Sequence, residues 1–339
     1  MQVDTRSVAD GTAWTEWIAT NLLRGCSVDS MLQGMVDAGL PADPALAAIQ
    51  RVAQDPIFAA AARGQRQHRK LLSVVGNMQS VWASDPGYAE IPRVGRMDAA
   101  DFLARHVHAF RPALLTEPAR HWPALQNWRW ERLAARFGEH TIEVQDGRND
   151  DPRFEENSVA HKRPMRFGEF LAYVEQTAWD NNAYITANNG LLRQAAFAGL
   201  LDDVGELPPL ADRARLAAAA HLWIGPAGTK TPLHHDTCML FHTQIIGSKR
   251  WRLVSPLEWA RMYNHSHVFS PVDLDAPDHG RYPDVAAARV LDVVVRPGET
   301  LFLPLGWWHQ VSALEPSVSI SYTGLTIPNS FEYADPAAA

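Results

Sequence analysis

The chain has 339 residues, a formal net charge of −7, 46% hydrophobic residues, 20% charged residues and two cysteines. That length suits one catalytic domain with a smaller appendage, and the composition excludes disordered and collagen-like chains. An acidic balance without a long Lys/Arg run argues against a nucleic-acid partner. Cys26 and Cys238 are too few for a disulfide framework or a paired zinc site, and no apolar run of about 18 residues reads as a membrane span. With no signal-like N-terminus, a cytoplasmic location is expected.

Taken in chain order, Trp14, Trp17, Ile18, Leu22 and Leu23 recur near helical spacing. Ser27 and Ser30 suit the start of a second helix carrying Met31, Leu32, Met35 and Val36, with Gly39 at its C-cap. Asp43-Pro44 opens a third through Leu46, Ile49 and Val52, and a fourth runs from about Asp55 to Val81. These segments predict a helical N-terminal domain over residues 1–88, expected to serve substrate recognition or homodimer formation. Turn signals at Ser84-Asp85-Pro86-Gly87 close it, and a catalytic domain follows over 89–339.

Beyond the turn the texture changes to short apolar runs broken by Pro and Gly. Arg111 to Thr116 and Thr141 to Val144 read as strands, and Trp130 to Phe137 reads as a helix. Further strands are expected at Leu240 to Ile246, Arg250 to Val254, Val290 to Val295, Thr300 to Leu303 and Val318 to Tyr322. Regular short strands between turns predict a mainly β fold, a jelly roll or barrel, rather than a parallel α/β sheet.

The chemistry concentrates in Thr231-Pro-Leu-His-His-Asp236. In an extended strand, residues i and i+2 project from one face, so His234 points with Asp236 and His235 points away. A third ligand must come from a distant strand, and Pro304-Leu-Gly-Trp-Trp-His309 offers His309 after a Pro/Gly turn. Two imidazoles and one carboxylate form a facial triad with open metal positions, which favours non-haem Fe(II). Cys238 has the right parity to be a rival ligand. A hairpin Gln244 to Trp251 then brings either Lys249 or Arg250 inward as a counter-charge for an anion, while the other faces solvent as an ordinary edge-strand cation.

Four motifs in order, T-P-L-H-H-D, Q-I-I-G-S-K-R-W, P-D-H-G-R-Y-P and R-P-G-E-T-L-F-L-P-L-G-W-W-H, resemble the JmjC hydroxylases. The pattern is most similar to the cupin-like protein hydroxylases that include the asparaginyl hydroxylase of hypoxia-inducible factor, from about Ile91 to Thr326. The resemblance implies a double-stranded β-helix with surrounding helices. It assigns Fe(II) to His234, Asp236 and His309, and the distal carboxylate of 2-oxoglutarate to Lys249, with Thr231, Tyr184 and Ser321 at co-substrate positions. Two departures stand out: Leu240 and Ser321 occupy positions where the asparaginyl hydroxylase pattern has Asn. For substrate contacts the expectations are His242, Asn188, Asn189, Arg281 and Trp308.

The expected function is thus an Fe(II)-, 2-oxoglutarate- and dioxygen-dependent dioxygenase that hydroxylates a side chain in a protein or peptide, with N-methyl removal as a variant. The competing readings are a hydroxylase of a free amino acid or small metabolite, a cupin that binds metal or ligand without turnover, and a zinc-dependent isomerase.

Overall fold

The computed structural model describes residues 11–335. The chain forms two compact units, Met1–Met78 and Gln79–Ala339. In the first, α1 (Gly11–Arg24), α2 (Val28–Asp37) and α3 (Ala42–Gln54) bury Trp14, Ile18, Met31, Met35, Ala45, Ile49 and Val52 in a core of their own. Ser27 caps α2 by accepting a hydrogen bond from the Ser30 amide, and Gly39 supplies the left-handed φ of 94° that ends the turn after it. Helix α3 begins at Ala42, one residue before Asp43-Pro44. Pro44 therefore sits in the first turn, where its missing N–H costs no intrahelical bond. The division between the units falls inside α4 (Pro56–Ala83), and the expected boundary turn at Ser84–Gly87 follows directly after that helix.

The second unit is built on two facing sheets. Its strands are β1 (Arg93–Val94), β2 (Ala113–Leu115), β3 (Thr141–Gln145), β4 (Lys162–Arg166), β5 (Ala220–Gly225) and β6 (Lys230–His234). The chain continues with β7 (Leu240–Ile246), β8 (Lys249–Val254), β9 (Val290–Val295), β10 (Thr300–Leu303), β11 (Trp308–Ala313) and β12 (Ser317–Tyr322). One sheet has the order β1-β2-β10-β7-β12-β5 and the other β6-β11-β8-β9, while β3 and β4 form a side ribbon. Apart from the β1–β2 pair, the pairings are antiparallel.

Strand alternation sorts the side chains into two cores. Phe241, Phe302, Ile320 and Tyr322 join the helical residues Phe102, Phe167 and Phe170 in one cluster. Leu240, Trp251, Leu253, Leu301, Leu303 and Val311, of the opposite parity, join Trp307 in a second cluster. The architecture is a cupin-like double-stranded β-helix, mainly β and flanked by helices.

Candidate metal centre

Strand β11 lies between β6 and β8, and this order brings the expected ligands together. His309 is the direct cross-strand partner of His234, and Asp236 follows two residues beyond it. One ligand atom from each of His234, Asp236 and His309 falls within 4.8 Å of the others. The His234 and His309 ring centres are 4.0 Å apart, and each Nε2 lies 3.8 and 3.6 Å, respectively, from an Asp236 carboxylate oxygen.

The backbone fixes the tautomers. His234 Nδ1 is 2.8 Å from the Pro232 carbonyl and His309 Nδ1 is 3.0 Å from the Trp307 carbonyl. A carbonyl can only accept, so both Nδ1 atoms donate and both Nε2 lone pairs turn inward when the rings are neutral. Burial holds His309 well below the usual imidazole range, and the same desolvation raises the Asp236 carboxyl, opposed by His234. Three lone-pair-bearing groups that share no proton repel one another unless a cation sits between them. A mixed N/O facial set without thiolate fits iron(II), with His234, Asp236 and His309 as the residues that would hold it.

The neighbouring residues divide as parity dictates. His235 is buried against the rings of Trp259, Trp308 and Tyr333 at 4.7–4.9 Å, outside the cavity wall, and burial brings its pKa to about 4. Cys238 does line the cavity. Burial pushes its thiol up to about 12, so it stays protonated and is a poor ligand.

The triad opens into a cavity of about 380 Å³ whose wall includes Tyr184, Thr231, Leu240, His242, Lys249 and Ser321. Lys249 points inward and is sealed. Its Nζ donates to Tyr184 Oη and to Ser319 Oγ, both at 2.9 Å, while Arg250 points outward and pairs with Asp292. No carboxylate pairs with Lys249 among the described residues, and burial alone lowers its pKa to about 7. Ser321 Oγ accepts from Trp223 Nε1 at 2.8 Å. Rings run in a row from the metal ligands along the wall, with His309 to Trp251 at 5.6 Å, Trp251 to His242 at 4.8 Å, His242 to Trp223 at 6.3 Å and Trp223 to Tyr184 at 6.0 Å.

The other expected substrate residues lie elsewhere. Trp308 is fully buried beside His235 and Trp259 and is absent from the cavity wall. Arg281 lines a neighbouring groove with Phe154, Phe269 and Tyr282. Asn189 staples its own loop by donating to the Leu222 carbonyl and accepting from the Leu191 amide, and the side chain of Asn188 lies outside the described residues. Sequence reasoning missed Ser319 and Trp251. Trp251 shares the parity of Lys249, which was the available signal, whereas Ser319 meets Lys249 only across the two sheets.

Fold and triad together define the class of cupin metalloproteins with a facial His-x-Asp…His centre. Residues 99–323, about two thirds of the chain, match the cupin-like domain family, and the chain belongs to that family, of the JmjC type that its motifs resemble. It is 28% identical over 239 residues to lysine-specific demethylase 8 of Xenopus tropicalis, covering 68% of this chain and 52% of that protein. To Jumonji C domain-containing protein 5 of Drosophila melanogaster it is 27% identical over 245 residues, covering 69% and 59%. A shorter stretch is 40% identical over 109 residues to HSPB1-associated protein 1 of Bos taurus, covering 30% and 22%. The chain thus spans about half the length of the first two.

Proposed function

We propose that this protein is an iron(II)- and 2-oxoglutarate-dependent oxygenase that hydroxylates a side chain of a protein or peptide. The carrying observation is one cavity that joins the His234–Asp236–His309 triad to a buried lysine with no counter-ion among the described residues. A buried unpaired charge costs several kcal/mol, about the scale of the desolvation penalty for one ion, and an entering carboxylate removes that cost. Iron with 2-oxoglutarate and dioxygen supplies C–H oxidation, coupled to release of succinate and carbon dioxide.

The protein's own part is holding and shielding. The Pro232 and Trp307 carbonyls lock the two imidazoles in the metal-binding tautomer. Tyr184 and Ser319 position the Lys249 ammonium, which takes the far carboxylate. Trp223 and Trp251 wall the co-substrate side, so the reacting C–H is approached from the triad's open side. No side chain need act as a strong base.

The family's relatives include proteins named as lysine demethylases, and N-methyl removal would use the same site. Hydroxylation is the favoured outcome here, on a polypeptide recognised in part by the N-terminal helical unit, for which self-association is the alternative role. Purified protein given Fe(II), ascorbate and 2-oxoglutarate is expected to form succinate, with peptide pools stimulating the rate and gaining the mass of one oxygen. Loss of the mass of one CH2 from the peptides, with formaldehyde released, would instead establish demethylation. Stoichiometric metal with no 2-oxoglutarate turnover under any substrate pool would favour a binding module.

A further inference from the structure

His242 carries a polar atom with nothing to bond. The residue is 3% exposed and lines the cavity, yet its Nε2 has no hydrogen-bond partner among the described residues. Such an orphan on a buried side chain is costly unless a ligand or water completes it. Gln244, two residues on and of the same strand parity, makes the imidazole somewhat more basic, but its own Oε1 is also without a partner.

The surroundings specify what the missing partner is. Trp251 Nε1, a group that can only donate, is likewise buried and unpartnered in the ring packed 4.8 Å from His242. Ser321, the cross-strand partner of His242, has its oxygen occupied by the Trp223 indole, which leaves its hydroxyl proton to be given away. Lys249 adds a further set of donors. A wall with this excess of donors suits an acceptor-rich anion. Leu240, the preceding cavity residue on β7, supplies no donor at all.

Resting on the oxygenase reading above, we propose that His242 is a co-substrate residue, its Nε2–H donating to a carboxylate oxygen of 2-oxoglutarate, and not a contact to the substrate being hydroxylated. Burial and the charge of Lys249 keep the ring neutral, and in the tautomer with its single proton on Nε2 it would bind as a donor without adding a second cation to the cavity.

The test is calorimetric titration of 2-oxoglutarate into the full chain loaded with Mn(II), which binds co-substrate without turning over. His242→Phe keeps a ring of similar size and removes the donor. It should weaken 2-oxoglutarate about tenfold or more, the scale of one hydrogen bond to a charged group, with Mn(II) affinity unchanged. His242→Gln, which restores an N–H, should recover part of the loss. In ¹⁵N-imidazole spectra of the Zn(II)-loaded wild type, 2-oxoglutarate should shift the His242 Nε2 signal. Equal affinity of wild type and His242→Phe overturns the inference and leaves the oxygenase reading intact. So does a variant whose only defect is a raised KM for the hydroxylated substrate. If the wild type shows no saturable 2-oxoglutarate binding, the oxygenase reading falls and this inference with it.

Discussion

At the metal end of the cavity, His234 and Asp236 keep 14% and 28% of their side-chain surface exposed while His309 keeps 3%, whereas at the far end Lys249, Tyr184 and Ser319 are sealed at 1%, 2% and 0%. The metal end is the more open of the two, through His234 and Asp236. The anchor end is closed, so on the proposed reading its ligand would enter past the metal site before any polypeptide substrate covered the mouth. Exposure at one end and desolvation at the other divide the work: coordination chemistry needs vacant positions, while a single ammonium binds a carboxylate strongly only where water is excluded.

The comparison breaks most sharply at the metal end. Asp236→Ala should lower succinate formation by about a thousandfold or more, on the scale of several kcal/mol of metal-dependent stabilisation, with metal content by mass spectrometry falling below one per chain. At the anchor end, Lys249→Met should raise the KM for 2-oxoglutarate by about a hundredfold, in line with removal of one partner of a buried charge pair, and leave metal content unaltered. If metal is lost in both variants, the two ends are not separable.

Acidity sharpens the same contrast. The Lys249 amine, ordinarily near 10.5, is depressed to about 7 in the folded chain. The unfolded chain therefore binds more protons between those values, so this group makes the unliganded protein more stable as pH rises from 7 towards 10.5. Ligand binding runs the opposite way. A carboxylate selects the ammonium form, so 2-oxoglutarate affinity should weaken about tenfold per pH unit above 7, with one proton taken up on binding at pH 8, as read by calorimetry in buffers of different ionisation heat. An affinity flat across pH 7–9 would mean that Lys249 is already charged without ligand. The smallest effect is expected for Tyr184→Phe, which removes one hydrogen bond to Nζ and should weaken 2-oxoglutarate about fivefold, on the scale of 1 kcal/mol.

What was legible in the sequence is what alternation along one strand decides. The parity of His234 and Asp236 is a local property, and it turned His235 to the opposite face, where the structure packs it against Trp259, Trp308 and Tyr333. Lys249 could be narrowed to one of two neighbours by the same reasoning. Ser319 could not be found this way, because its bond to Lys249 depends on how β12 of one sheet faces β8 of the other. Trp308 shows the complementary error. Its place beside the ligand His309 suggests the cavity, but adjacency in a strand sends consecutive side chains to opposite faces. The division at Met78 is likewise silent, since α4 continues through it without a break in helix-forming residues.

The row of rings leading away from His309 has a consequence for the enzyme's lifetime. On the proposed reading, co-substrate consumed without a bound substrate and without added reductant would leave its oxidising equivalents to the protein, where electron-rich indoles give way before imidazoles or aliphatic chains. Trp251 stacks directly on the ligand ring, and Trp223 stands two rings further along. Idle catalysis should therefore leave its mark on tryptophan and spare the ligands. After long incubation with Fe(II), 2-oxoglutarate and air, peptide mapping is expected to find an added oxygen on Trp251 first, and a Trp251→Phe variant should shift the damage elsewhere and inactivate sooner.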